Sequence, residues 1–303
     1  MGSPLESLPQ GGRVAIIRLR SLGDCVLTTP AIRLLKQCRP DLEVSIVVED
    51  RFRAIFDGNP DIALILPPKT ASLRQIRPHL CLNFHGGTRS AWMTACSAAP
   101  LRAGFGHFRW QMAYNRRIPR AQEILGVDRT VHTAEHMASA MFWLGVPIGE
   151  IPPARLVAAN TDTAGRACAT FHPFAATLAK TWRAERFLEI AKQVAAGGTE
   201  PVFIGGAADD LSPFREFRTL RGAPLSEIKS QLARSSLFIG NDSGPAHMAA
   251  ALGVPAIVIF GDSDPAIWGP WRTPSEVVMA PGGITSVETS QVVSALARLR
   301  VHA

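Results

Sequence analysis

Short apolar runs, each closed by polar or turn-forming residues and followed by a helical stretch, constrain this chain more than any other feature. Val14-Ala15-Ile16-Ile17 is wholly apolar and too short for a helix, so it reads as a strand buried on both faces, as in parallel sheets. The turn Arg20-Ser21-Leu22-Gly23-Asp24 follows, then a helix to about Cys38. Residues 44–48, 62–66 and 80–84 repeat the pattern, with a short helix over 52–56. Strands alternating with helices predict βαβ units and a parallel α/β sheet.

After Phe84 come His85-Gly86-Gly87-Thr88-Arg89, a helix to about 98 and an Arg-rich connection over 102–120. A helix is predicted over 133–144, where Ala134, Met137, Ala138, Met141 and Phe142 fall at helical spacing. Residues 145–162, with Pro147, Pro152 and Pro153 and no strong periodicity, read as a linker. The second half restarts the alternation: a strand over 167–171 ending in His172-Pro173, a helix over 184–196, and a strand over 202–204 closed by Gly205-Gly206. Helical stretches over 210–220 and 225–234, strands over 237–239 and 256–260, and a closing helix over 290–301 complete it. The expectation is therefore two domains, residues 1–150 and 151–303, with the last helix packing back on the first domain. The carboxyl ends of both sheets are expected to face a cleft between them, where open α/β sheets keep their ligands.

The length of 303 residues, 47% of them apolar, allows two such cores. No apolar run approaches the ~20 residues that span a bilayer, and the first dozen residues lack the basic-then-apolar order of a signal peptide. A soluble cytoplasmic protein is expected. Five scattered cysteines without a Cys-x-x-Cys pair fit a reducing compartment and argue against structural zinc. The net charge of +7 is uneven: residues 1–150 hold 18 Lys or Arg against 12 Asp or Glu, and 151–303 hold 14 against 13. From Ile62 to Gln122 there is no acidic residue but nine basic ones: Lys69, Arg74, Arg77, Arg89, Arg102, Arg109, Arg116, Arg117 and Arg120. Such a field draws an anionic partner: nucleic acid, an acidic membrane surface or a phosphorylated small molecule.

Asn241-Asp242-Ser243-Gly244-Pro245-Ala246-His247 follows an apolar run and opens a helical stretch that Gly253 ends. A strand, tight turn and helix start in that order aim backbone N–H groups and a positive dipole end at a ligand, and phosphate is the usual guest. Asp242-Ser243-Gly244 misses the nucleophile-elbow spacing, and no triad partners can be placed. Asp262-Ser263-Asp264 before Pro265 reads as a turn rather than a metal-binding pair. Neither a dinucleotide fingerprint nor a P-loop is present, which argues against hydride transfer and ordinary NTP hydrolysis. Lysine is scarce, five against 27 arginines, so Lys180 stands out between a strand and a helix, where an ammonium reaches a phosphate or lies on the surface. His85 and His172, each just past a strand, are ligand contacts or turn residues, and position does not choose between them.

Taken in order, Ile16-Ile17-Arg18-Leu19-Arg20-Ser21-Leu22-Gly23-Asp24, His172-Pro173 with Ala179-Lys180-Thr181-Trp182, Asn241 to Gly253, and Phe260-Gly261 with Asp264-Pro265 and Trp268-Gly269-Pro270 resemble glycosyltransferase family 9. These are the lipopolysaccharide heptosyltransferases of the GT-B fold: two Rossmann-like parallel-sheet domains, the first for the acceptor and the second for the nucleotide-sugar donor. The resemblance runs from about Arg13 to Trp271. It implies Asp24 as catalytic base, and Lys180, Asp242, Ser243, Gly244 and His247 as contacts of the donor nucleotide and its diphosphate. Arg18, Gly86, Gly87 and Arg89 fall on the acceptor side. His85 and Asp262 depart from the family pattern, Asp262 replacing a usual proline.

The implied reaction is inverting transfer of L-glycero-D-manno-heptose from ADP-heptose to an anionic lipopolysaccharide core. It needs no metal and no cofactor, and it takes place at the inner membrane's cytoplasmic face, with peripheral contact. Rival readings keep the chemistry with a protein or other polysaccharide acceptor, or make the chain a non-catalytic nucleotide-sugar binder. No recognised nucleic-acid module is visible, so nucleic acid is not an expected partner.

Overall fold

The computed structural model describes residues 3–158 and 167–301. The chain divides into two compact units, Met1–Arg155 and Leu156–Ala303. Residues 146–158 carry no regular secondary structure, and residues 159–162 of the expected linker lie outside the described residues.

The first unit runs β1 (Arg13–Ile17), α1 (Leu22–Cys38), β2 (Glu43–Val47), β3 (Leu64–Leu66), α2 (Thr70–Gln75), β4 (Leu80–Asn83), α3 (Thr88–Ala95), β5 (Leu101–Phe105), β6 (Arg116–Ile118), α4 (Ala121–Leu125) and α5 (Thr133–Leu144). The second runs β7 (Cys168–His172), α6 (Ala184–Ala196), β8 (Glu200–Gly205), β9 (Arg218–Arg221), α7 (Leu225–Ala233), β10 (Ser235–Asn241), α8 (Gly244–Ala251), β11 (Ala256–Ile259), α9 (Pro265–Trp268), β12 (Ser275–Val278) and α10 (Thr289–Val301). The strand order is β3-β2-β1-β4-β5-β6 in the first sheet and β12-β11-β10-β7-β8-β9 in the second. All pairings are parallel. Counted from its own first strand, each sheet has the doubly wound order 3-2-1-4-5-6, and each has a switch point, between β1 and β4 and between β7 and β10.

The central strands are the wholly apolar runs of the sequence. Val14, Ala15, Ile16 and Ile17 are fully buried, as are Ile257, Ile259 and Phe238 in the second sheet. Burial of both faces is what a continuous Val/Ile run supplies and what an alternating strand cannot. Trp182 anchors the second core: it is 1% exposed, meets Phe187 edge-on at 4.9 Å and donates its indole N–H to the Val287 carbonyl at 2.8 Å.

Two expectations are corrected. The Arg-rich connection over 102–120 contains the parallel strands β5 and β6, the latter an edge strand of three residues with Arg116 and Arg117 exposed. The stretch 210–220 is no helix: it holds a 3-10 turn at Ser212–Phe214 and the start of edge strand β9. Phe214, Phe217 and Leu220 imitate helical spacing because the two phenylalanines both pack on the core around Phe203. The closing helix has its buried face, Val292, Ala295, Leu296 and Leu299, in the core of the second unit. No helix among the described residues is long and apolar enough to cross a membrane.

Candidate active site

The segments leaving β1 and β4 bring Arg18, Asp24, His85 and Gly86 to the first switch point. Ser21 caps α1, and Asp24 Oδ2 accepts from the Ser21 N–H at 3.2 Å and from its hydroxyl at 2.8 Å. Asp24 Oδ1 faces Arg18 Nη1 at 3.4 Å. The Asp24 side chain keeps 22% exposure and that of Arg18 only 5%. The Asp24 carboxylate is thus accessible, whereas the Arg18 guanidinium beside it is buried.

Arg18 Nη2 also donates to Met137 Sδ on α5 at 3.0 Å, and its Nε has no hydrogen-bond partner among the described residues. Burial lowers the Arg18 pKa against the attraction of Asp24. At His85, burial and then the Arg18 charge lower the pKa, opposed by a hydrogen bond with the Arg20 backbone.

The turn after β4 is built by Asn83, which is fully buried. Its Oδ1 accepts from the N–H groups of His85 at 2.9 Å and Gly86 at 3.0 Å. Its Nδ2 lies within 3.2 Å of the hydroxyls of Ser90, Thr94 and Tyr114. Gly86 has φ +73°, and a Cβ there would meet the Phe108 ring at 2.6 Å, so glycine is needed twice over. Gly87 caps α3. Arg89, in the first turn of α3, is exposed and donates to the Pro68 carbonyl at 2.9 Å.

In the second unit the crevice between β7 and β10 gathers Lys180, His172, Asp242 and Ser243. Lys180 ends a 3-10 turn at Leu178–Lys180, and its Nζ donates to Asp242 Oδ2 at 3.1 Å. The Ser263 hydroxyl donates to that same oxygen. Asp242 is 8% exposed in its side chain, whereas Lys180 keeps 31%, so the ammonium is held in place and still accessible. Asn241 Oδ1 accepts the Trp182 N–H at 3.1 Å, tying the lysine loop to the end of β10.

Ser243 caps α8, donates to the Asn241 carbonyl at 3.0 Å and lies 3.0 Å from His172 Nδ1. With the serine proton committed to Asn241, His172 is the donor to Ser243 Oγ. Gly244 opens α8. His247, one turn further, is 4% exposed and 6.3 Å from the Trp268 ring. Asp264 caps α9 through the Ala266 N–H at 2.8 Å, which is turn chemistry, and Asp262 is exposed. Among the described residues no group of three or more His, Cys, Asp or Glu is arranged to hold a metal.

Two predictions arise from this geometry. A Cβ at Gly261 would collide with the Ala179 carbonyl and lie 3.2 Å from Lys180 Cα. Backbone cannot yield cheaply, so Gly261→Ala should displace the lysine loop and weaken nucleotide diphosphate binding roughly tenfold, about 1.4 kcal/mol, by calorimetric titration. Unchanged affinity would show that the loop does not depend on this approach.

The second concerns pH. Burial lowers His172 to about 4, and burial with the charges of His107 and Arg18 lowers His136, stacked on Phe105 at 4.0 Å, to about 4. Both pKa values fall below the unfolded value near 6.5, so between pH 6.5 and 4 the unfolded chain binds more protons. Stability is therefore present above pH 6.5 and lost as pH falls, by up to about 1.4 kcal/mol per pH unit per histidine. Thermal unfolding at pH 7 and pH 5 measures it, and His136→Phe should flatten the slope.

The cysteines are free thiols, and burial pushes Cys25 and Cys81 up to about 12, which leaves both unreactive at neutral pH.

The sequence model of glycosyltransferase family 9 (heptosyltransferase) matches residues 70–290. The chain belongs to glycosyltransferase family 9. It is accordingly a glycosyltransferase. It is 25% identical over 288 residues to lipopolysaccharide heptosyltransferase 3 of Escherichia coli K12, covering 84% of this chain and 83% of that one. The structure of the family 9 glycosyl transferase of Veillonella parvula superposes with a TM-score of 0.85 at 20% identity, over 98% of this chain and 99% of that one. E. coli ADP-heptose LPS heptosyltransferase II does so with a TM-score of 0.82 at 19% identity, over 96% and 99%. The fold is therefore the GT-B type, with two Rossmann-like parallel-sheet domains.

Asn83 escaped the sequence reading, although it left one signal, a carboxamide inside an otherwise apolar strand. Met137 was read only as a helix-face residue, and Trp182 and Gly261 only as motif residues; their contacts were hidden because their partners lie 59 to 119 residues away in the chain.

Proposed function

We propose that this family 9 enzyme transfers heptose from ADP-heptose to an anionic lipopolysaccharide core, with inversion at the anomeric carbon. The observation that carries the reading is Lys180, held at 3.1 Å by Asp242 beside the helix start at Ser243 and Gly244. An ammonium and a helix N-terminus on one crevice suit the diphosphate of a nucleotide-sugar. The relatives support the sugar: one is a lipopolysaccharide heptosyltransferase, another an ADP-heptose enzyme.

The first unit takes the acceptor and the second takes the donor. Asp24 removes the proton of the acceptor hydroxyl as that oxygen attacks the anomeric carbon. The bond from the anomeric carbon to the ADP oxygen breaks through an oxocarbenium-like transition state, and negative charge grows on the departing diphosphate. Lys180 and the N–H groups at the start of α8 stabilise that charge. Gly86, Gly87 and Arg89 line the acceptor side, and Arg18 and His85 set the surroundings of Asp24. His247 supports the turn that holds the nucleotide. The protein works in the cytoplasm, with peripheral contact to the membrane that carries the acceptor.

Release of ADP from ADP-heptose, measured with and without a heptose-free core acceptor, tests the donor and acceptor together. Acceptor-dependent release is expected. Release from a uridine-diphosphate sugar but not from ADP-heptose would overturn the donor assignment.

A further inference from the structure

Three of the large apolar side chains exposed to solvent occur together on the first unit. Trp92 on α3 is 67% exposed, Trp110 42% and Met112 97%. With Ala95 and Ala113 they line one shallow apolar hollow. Trp110 donates its indole N–H to Thr88 Oγ1 at 2.9 Å, and the Arg109 guanidinium lies over its ring, 5.3 Å from the centre.

Basic groups accompany this patch. Arg89 lies one turn before Trp92, Arg109 adjoins Trp110, and Arg116 follows Met112 by four residues; all three are exposed. None of them pairs with a carboxylate among the described residues, and no acidic residue occurs from 62 to 122 in the sequence.

Exposed tryptophan and methionine with Arg109 against the Trp110 ring, in a stretch of chain that carries arginines and no acidic residue, match a surface that is negative outside and apolar just beneath. Tryptophan favours that boundary, and arginine stems bury alongside while their heads stay at the phosphates. Nucleic acid would answer the arginines but leave Met112 in water. We propose that this face, α3 with the segment 108–116, rests on an anionic lipid surface, with Trp92, Trp110 and Met112 in the headgroup zone. The purpose of the contact rests on the lipid-linked acceptor proposed above, but the contact itself does not.

Co-sedimentation of the full chain with vesicles of phosphatidylcholine, alone or mixed with phosphatidylglycerol, tests it. Binding is expected only to the mixed vesicles and should weaken with salt as the charges are screened. Arg109→Gln with Arg116→Gln should weaken it roughly fivefold per arginine. Trp92→Ser with Met112→Ser should weaken it about tenfold at fixed salt, since both side chains lose their apolar burial. Equal sedimentation of wild type and both variants would overturn the proposal. So would a wild-type dimer in gel filtration that Trp92→Ser with Met112→Ser breaks, because the face would then belong to a second copy. ADP release with an acyl-free, soluble core acceptor stays within twofold of wild type in both variants. A protein that binds mixed vesicles yet transfers nothing would overturn the catalytic reading alone, and one that transfers yet ignores vesicles would overturn this surface alone.

Discussion

Asp24→Asn is expected to lower kcat by roughly 10²–10⁴ with little change in the affinity for donor nucleotide. The reason is local: asparagine keeps the shape of the side chain but cannot take a proton from the acceptor hydroxyl. The substitution has a structural side effect that must be separated. Asp24 also receives the Ser21 N–H and hydroxyl at the start of α1 and stands 3.4 Å from the buried Arg18 guanidinium. Asparagine leaves Arg18 without its anionic neighbour, so the thermal midpoint should fall as well. Ser21→Ala supplies the control. It removes one capping bond, worth about 1 kcal/mol, and leaves the carboxylate. If Ser21→Ala keeps most of kcat while Asp24→Asn loses it, the loss belongs to proton transfer. Near-normal turnover by Asp24→Asn would remove the base from the mechanism.

The second large effect is at Lys180. Lys180→Ala should lower kcat by roughly 10²–10³, because the ammonium acts on charge that grows as the diphosphate leaves. ADP affinity should fall too, since the product carries that charge fully. The thermal midpoint should fall modestly, because the Asp242 carboxylate, 8% exposed, loses its ammonium partner and keeps the Ser263 hydroxyl. Lys180→Arg is not expected to restore activity: the Asp242 carboxylate sits at 3.1 Å from Nζ, and a longer planar guanidinium cannot occupy the same point. A variant that loses ADP affinity but keeps kcat would make Lys180 a ground-state contact only.

The legible part of this protein is the part whose physics is local. Val14 to Ile17, the run at 256–259 and the turn at Asn241–Gly244 announce themselves because a buried parallel strand needs consecutive apolar residues and the turn after it needs small ones. Asp24 stands out just past the first strand, Ser243 in the turn itself, and Lys180 because lysine is scarce; their roles came from the family resemblance. Of the edge strands, β3 was legible and β6, β9 and β12 were hidden. Strands β6 and β9 are short, carry arginines and bury little, so nothing in their composition separates them from loops. The supporting residues were hidden more deeply. Met137 sits at core spacing on α5, and only the packing of α5 on α1 brings its sulfur to Arg18. Gly261 looks like one more turn glycine until the Ala179 carbonyl is seen against it. His172 was balanced between ligand and turn, and the structure shows it bonded to Ser243 in the crevice between β7 and β10.

The central claim is an inverting heptosyl transfer with ADP as leaving group. Incubation of the wild-type protein with ADP-heptose and a heptose-free core acceptor, followed by NMR of the product, measures it most directly. The account predicts one ADP released per heptose transferred and an anomeric configuration in the product opposite to that of the donor. A product that retains the donor's configuration, or no transfer from ADP-heptose at all, would contradict it.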